Sequence, residues 1–173
     1  HNIYTIYPTP QNQYGFERTA SFTQQVNIVV ESQIDQTTID RAVQVLTDHG
    51  FKATVSNSIA KSGSNLLLGV AGSKGTVDRH VASLSLDRSV FALDEKYDRH
   101  LLTLTGNKRG EAQVVILGEH TDAVFYGLAS LEQMLDQGST DMQCVLIEDY
   151  ADIKYRGVIE GYYGVPYSAE VTK

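Results

Sequence analysis

The acidic residues of this chain include two adjacent pairs, Asp94-Glu95 and Glu148-Asp149. Paired carboxyl groups are the chemistry of glycosidic-bond hydrolysis, which needs two of them flanking the scissile bond, with one held protonated. Both pairs stand in polar or strand-end contexts, which favours solvated surface charge. We therefore predict that these 173 residues do not contain a complete acid/base site.

Other reactive patterns are weak. Glu119 and His120 are neighbours whose side chains would point to opposite faces of a strand, and we interpret them as a solvated loop pair. The stretch Gly72–Thr76 has the glycine, lysine and hydroxyl of a phosphate loop in the wrong order, so it predicts a turn. No GxSxG elbow of a serine hydrolase is present. The histidines lack HExxH spacing and predict no metal site; they stand at positions 1, 49, 80, 100 and 120.

The charge balance limits the partners of the protein. Fourteen basic residues against 21 acidic ones give a formal charge of −7. A negative surface repels phosphate backbones and anionic headgroups, so neither nucleic acid nor an acidic membrane surface is expected as a partner. No apolar run approaches the ~18 residues that predict a membrane span. The single cysteine, Cys144, cannot form an internal disulfide, and its apolar neighbours predict a buried thiol.

Two amphipathic helices are predicted. Ile39, Ala42, Val43 and Leu46 form one apolar stripe, with Asp35 or Thr37 as N-cap and Gly50 at the C′ position. A second helix is predicted over roughly 121–136, with Thr121 as its N-cap. Gly127 within it costs about 1 kcal/mol relative to alanine, which close packing of this helix on a sheet would offset.

The remaining apolar segments predict strands. A short helix is expected over 76–84, residues 85–99 are ambiguous, and a hairpin turn is expected at 107–110. The predicted strands are 3–7, 26–30, 51–55, 66–70, 100–105, 113–117 and 142–147. This alternation predicts an α/β fold, a mixed sheet with its helices packed on one face, over residues 1–150.

The last part of the chain differs in composition. Residues 156–168 read Arg-Gly-Val-Ile-Glu-Gly-Tyr-Tyr-Gly-Val-Pro-Tyr-Ser, a short strand followed by glycines interleaved with aromatics. Such a loop exposes backbone carbonyls and aromatic faces, and sugars bind to both through hydroxyl groups and apolar ring faces. The alternative interpretation is a tightly packed turn.

This segment closely resembles the start of the catalytic domain in glycoside hydrolase family 84, which includes bacterial enzymes labelled hyaluronidases and the O-GlcNAcases. The family has phenylalanine and tryptophan where this chain has Tyr162 and Tyr167, and both differences keep an aromatic ring. Residues 7–11 and 122–128 resemble the opening and the last helix of the family's N-terminal domain. Family 20 hexosaminidases share this domain type.

The resemblance implies a retaining β-N-acetylglucosaminidase with a (β/α)₈ barrel, in which the substrate's acetamido group acts as nucleophile. The two assisting aspartates would lie beyond Lys173, so no catalytic residue is expected in this chain. By position, Gly161 would present its backbone to a sugar hydroxyl and Tyr163 would line the sugar pocket, while Glu160 would support the barrel mouth. No metal or organic cofactor is implied.

The resulting hypothesis divides the chain at residue 150. Residues 1–150 form a non-catalytic domain that packs against its own barrel, and 151–173 begin that barrel, which is truncated. The expected ligand of the parent is an N-acetylglucosamine-containing glycan or glycoprotein, and the expected location is secreted or on a bacterial cell surface. Two alternatives remain open: a family 20-like enzyme, and a carbohydrate- or protein-binding module, which ten tyrosines without tryptophan would suit.

Overall fold

The computed structural model describes residues 4–138 and 141–153. Within these ranges the chain forms one seven-stranded mixed sheet, in the order β1-β7-β5-β6-β4-β2-β3. A short 3-10 turn at Ser89–Ala92 precedes β5. The elements are β1 Asn12–Ala20, β2 Gln25–Val30, α1 Gln36–Asp48, β3 Lys52–Ser56, β4 Ser64–Val70, α2 Thr76–Ser83, β5 Tyr97–Gly106, β6 Ala112–Gly118, α3 Thr121–Asp136 and β7 Met142–Ala151.

The sheet has a parallel half and an antiparallel half. Strands β3, β2, β4 and β6 run parallel, and β5, β7 and β1 are added in antiparallel fashion. The predicted hairpin is confirmed, because β5 and β6 pair across the turn at 107–110. The predicted α/β mixed sheet is therefore confirmed as well.

Both faces of the sheet are covered. The two long helices, α1 and α3, bury one face together, as the sequence predicts. The prediction that the helices pack on one face is wrong for the short helix α2, which covers the opposite face. There Val77 and Val81 pack on Val29, Leu67 and Leu117. The physical reason is the run of three leucines in β4, which is apolar without alternation and so needs cover on both sides.

The start of α1 follows the prediction. Asp35 is its N-cap and accepts a hydrogen bond from the Thr38 amide at 2.9 Å. Beyond its end Gly50 adopts a φ of +88°, the left-handed conformation that glycine takes at C′ without strain.

The start of α3 differs from the prediction. The N-cap is His120 and not Thr121, because the His120 side chain accepts from the Ala123 amide. The Thr121 hydroxyl instead accepts from the backbone amide of Asp35 at 3.1 Å. Thr121 therefore links the starts of α1 and α3.

The predicted strand at 3–7 is wrong for the described residues Tyr4–Tyr7, which we call the strap. Its backbone groups pair with side-chain amides and not with a neighbouring strand. The Tyr4 amide donates to Oε1 of Gln13 at 2.7 Å, and Nε2 of Gln13 donates back to the Tyr4 carbonyl at 3.1 Å.

Two glutamines at the end of α3 repeat this arrangement, Gln133 within the helix and Gln137 at its C-cap. Gln137 pairs with both backbone groups of Thr5 at 2.8 and 2.7 Å, and Gln133 does the same for Tyr7 at 2.8 and 2.9 Å. We call Gln13, Gln133 and Gln137 the glutamine clasp. The strap keeps the alternation of a strand, because Tyr4 and Ile6 are buried and the residues after each are exposed.

Strand β1 was not among the predicted elements. It lies at the edge of the sheet, and most of its side chains are exposed, including Tyr14 and Phe16. Its pairing with β7 is irregular between Gly15 and Thr19. A largely exposed edge strand lacks the apolar periodicity that would identify it.

The close packing expected at Gly127 is confirmed. A Cβ atom at this position would lie 2.5 Å from Cγ2 of Ile116 on β6. The absence of a side chain therefore sets how closely α3 approaches the sheet.

We expect Gly127→Ala to lower the free energy of unfolding by about 1–3 kcal/mol, because overpacking outweighs the better helix propensity of alanine. Urea denaturation followed by circular dichroism measures this change. Ala129→Ser, at an exposed position of the same helix, is the control and should leave the midpoint nearly unchanged. An unchanged or higher midpoint for Gly127→Ala would contradict the packing argument.

Candidate functional site

The predicted sugar-contacting residues, Gly161 and Tyr163, lie outside the described residues, as does Glu160. Their roles remain predictions. The chain leads toward them from one edge of the sheet, where β6 and β7 end and β5 begins. We call this the exit edge and define it as residues 96–100, 118–122 and 148–153.

An ion pair organises the exit edge. Arg99 donates through Nη2 and Nε to Oε1 of Glu119 at 2.6 and 3.1 Å, and its backbone amide donates to the other carboxylate oxygen at 2.8 Å. The remaining guanidinium nitrogen donates to the carbonyls of Phe91 and Leu93. Arg99 thus ties the 3-10 turn to the sheet.

Glu119 and His120 lie in the loop after β6, as predicted, and His120 is exposed, but Glu119 is a partly buried partner of Arg99 and not a solvated charge. Burial would raise the pKa of Glu119, but the hydrogen bonds from Arg99 outweigh it and hold this pKa below its usual value. The register of the β5–β6 hairpin could have predicted the pairing of Arg99 with Glu119. The register that joins His100 to Gly118 continues to Arg99 and Glu119.

His120 is committed to the structure through both ring nitrogens. Its Nδ1 accepts from the Ala123 amide, so the ring proton belongs on Nε2, which lies 3.4 Å from Oδ1 of Asp98. Burial raises the pKa of Asp98, and the nearby His120 opposes that rise. A histidine that caps a helix and pairs with a carboxylate is not free to act as a base.

His100 is a buried imidazole between the sheet and α3. Its Nδ1 lies 2.9 Å from the carbonyl of Asp98 and must carry the proton, since a carbonyl only accepts. Its Nε2 is buried without a hydrogen-bond partner in the part of the chain that the structure describes. Burial lowers the pKa of His100, so the ring is neutral near pH 7.

The pair Glu148-Asp149 is not surface charge, contrary to the prediction. Asp149 lies directly across from His100 and accepts from the Gln11 and Tyr150 amides through Oδ1. Burial raises the pKa of Asp149, and His100 and these amides counteract it.

Glu148 points to the other face of the sheet and is 5% exposed. Asn12 donates to its Oε1 at 3.4 Å, and its Oε2 has no partner among the described residues. Burial and the charge of Asp87 raise the pKa of Glu148.

These carboxyl groups are not placed for glycosidic-bond hydrolysis. Because consecutive residues of a strand face opposite sides, Glu148 and Asp149 cannot flank one substrate bond. Asp94 and Glu95 are exposed, as predicted. Residues 4–138 and 141–153 also contain no group of three histidine, cysteine or acidic side chains that could hold a metal.

The turn at Gly72–Gly75 is confirmed, and an internal carboxylate fills the position that a phosphate would need. Glu31, only 5% exposed, accepts from the amides of Val70 and Asp78 and from the Ser73 hydroxyl, each at 2.8 Å. Those donors stabilise the loop between β4 and α2. They are not available to an external anion.

Cys144 is buried, as predicted. Burial raises the pKa of its thiol. No helix in the described ranges combines the length and the hydrophobicity needed to cross a bilayer.

Residues 4–138 and 141–153 thus form a mixed sheet with helices on both faces, and its partly buried carboxylates serve structural hydrogen bonds. The chain belongs to the family described as glycosyl hydrolase family 20, domain 2, whose model matches residues 3–150.

Solved structures agree with this assignment. The chain is 35% identical to CpGH84D with a TM-score of 0.80, covering 97% of this chain and 27% of that one. This confirms the predicted relationship to family 84. A GH20 exo β-N-acetylglucosaminidase from Vibrio harveyi (15% identity, TM-score 0.55, 84% of this chain and 19% of that one) shows the same fold. The β-N-acetylhexosaminidase from Bacteroides fragilis also has this fold, with 13% identity and a TM-score of 0.54 over 83% of this chain and 24% of that one. The chain therefore spans about a quarter of the length of these proteins or less.

We expect Glu119→Gln to destabilise the domain at pH 7 by about 1–3 kcal/mol, since hydrogen bonds to a charged group are lost. A carboxylate with a lowered pKa stabilises the fold above the ordinary value of 4.5, and this contribution is lost as the pH falls through the folded pKa. The difference between wild type and variant, measured by urea denaturation, should therefore shrink below pH 4.5. Glu17→Gln on β1 is the exposed control, and a difference that persists at low pH would contradict the assignment.

We expect the pKa of His100 in the folded chain to lie below the ordinary histidine value of 6.5, because the ring is buried. The unfolded chain then binds a proton that the folded chain does not, so stability falls as the pH drops below 6.5. Nuclear magnetic resonance titration of the imidazole protons tests this directly, with the less buried His80 as internal reference. A His100 midpoint at or above 6.5 would refute the assignment.

Proposed function

We propose that this chain is the accessory N-terminal part of a retaining glycoside hydrolase that removes terminal β-linked N-acetylglucosamine by substrate-assisted catalysis. The similarity to CpGH84D over 97% of the chain carries this proposal. The separation of Glu148 and Asp149 onto opposite sheet faces supports a chain that is inactive by itself. The enzyme is of the O-GlcNAcase or hyaluronidase-labelled type.

In this proposal the domain is a scaffold for its own catalytic barrel. The exit edge favours this role, because Arg99 and Glu119 fix its backbone where the chain proceeds toward residue 154. Gly161 and Tyr163 then contact the sugar, and the ligand of the parent is an N-acetylglucosamine-containing glycan or glycoprotein. We further propose that the parent protein is secreted from, or displayed on, a bacterial cell.

A second candidate function rests on the edge strand β1. Tyr14 and Phe16 are 49% and 44% exposed there. Exposed aromatic rings offer apolar faces to sugars or to a protein partner, which would suit a binding module without hydrolase activity.

Hydrolysis of an aryl N-acetyl-β-glucosaminide is the test, with residues 1–173 and the longest natural version of the chain assayed side by side. We expect activity in the long form alone. Tyr163→Ala in the long form should lower kcat/KM by about tenfold, equivalent to ~1.4 kcal/mol, and Tyr14→Ala should leave it unchanged.

The outcomes separate the two candidates. Turnover by residues 1–173 would refute the scaffold role. Inactivity of both forms, together with glycan binding that Tyr14→Ala abolishes, would replace the hydrolase proposal with the binding module.

A further inference from the structure

The domain holds the strap largely through hydrogen bonds to the backbone of the strap. Each glutamine of the clasp offers one carbonyl oxygen and one amide nitrogen to the N–H and C=O of a single strap residue, over distances of 2.7–3.1 Å. This two-point pairing is what the edge of a β-strand offers to an added strand. In the groove between α3 and β1, the glutamine side chains therefore take the place of the backbone groups of a neighbouring strand.

The strap is also anchored through alternate side chains. Tyr4 and Ile6 are 9% and 5% exposed and belong to the core beneath α1 and α3. The Tyr4 hydroxyl donates to the carbonyl of Gln143 at 2.8 Å. In strand-addition complexes, main-chain hydrogen bonds supply affinity and pockets for alternate side chains supply specificity. This groove has both.

The groove does not require its occupant to come from the same chain. The partners of the strap lie from 9 to 139 residues away in sequence. Only residues 8–11 join the strap to β1, and Pro8 and Pro10 stiffen this connector. Exchange of an identical element between two copies of a chain is a low-cost route to a dimer, and the groove of a second copy offers the strap the same partners.

We propose that the groove lined by the glutamine clasp is a recognition site for an extended peptide, and that a second copy of this chain fills it by exchanging straps, which forms a dimer. Within one chain the connector gives the strap a high effective concentration, which favours the monomer. Exchange between two chains must compete with this, so the dimer fraction rises with protein concentration. This inference is independent of the proposed hydrolase function.

The test uses two complementary variants of the 173-residue chain. The acceptor carries Ile6→Asp, which expels its own strap because a carboxylate would be buried without a partner, and leaves the clasp intact. The donor carries Gln133→Ala and Gln137→Ala, which break the clasp and leave the strap intact. Alanine is a strong helix former, so α3 is retained.

We expect each variant alone to be monomeric, and an equimolar mixture to give a complex with twice the monomer mass in light scattering. The matched control is a donor that also carries Ile6→Asp, which should abolish the complex. A mixture of folded variants that stays monomeric at millimolar concentration, or a complex that forms equally well with the control donor, would overturn the proposal.

A second measurement applies if the acceptor does not fold, as judged by circular dichroism. Two batches of the wild-type chain carry a donor and an acceptor fluorophore, and energy transfer between them is followed against concentration. Transfer that rises with concentration and is suppressed by an excess of synthetic peptide covering residues 2–10 supports exchange. Transfer that stays at background overturns it.

Discussion

Backbone amides and carbonyls buried in this domain must find hydrogen-bond partners, and where strands and helices end, side chains supply them. Glutamine amides pair with the strap, the Glu31 carboxylate accepts from the amides of Val70 and Asp78 on either side of the turn before α2, and the Arg99 guanidinium donates to the carbonyls at the 3-10 turn. At the start of α3, the His120 ring accepts a hydrogen bond from the Ala123 amide in the same way. These polar side chains thus serve mainly to satisfy backbone hydrogen bonds.

This constraint explains why several residues with reactive side chains are not available for reaction. His120 is held through both ring nitrogens, and Glu119 is held by Arg99 through both oxygens. Glu148 and Asp149 retain raised pKa values, yet β7 directs them to opposite faces. A sequence inspected for acidic pairs cannot distinguish such groups from catalytic ones, because adjacency on a strand implies separation in space.

Local periodicity was sufficient for the elements with a regular apolar pattern. Helix α1, the β5–β6 hairpin and the packing of α3 at Gly127 followed from their own residues. The strap was misassigned because its strand-like pattern is real, while its partners, Gln133 and Gln137, lie far along the chain. Strand β1 was missed because an exposed edge strand carries little apolar pattern. The predicted site residues Gly161 and Tyr163 lie beyond the described ranges, so for the sugar site the family resemblance remains the argument.

The pairing of β1 with β7 affects how the domain folds during its synthesis on the ribosome. The first strand cannot find its neighbour until residues 142–151 have left the exit tunnel, and the strap waits for α3 and for Gln143. Contacts this distant in sequence make closure of the sheet a late event in folding. Translation must therefore produce nearly the whole sheet before its antiparallel half is complete, and the sheet closes only while the ribosome translates the segment after β7.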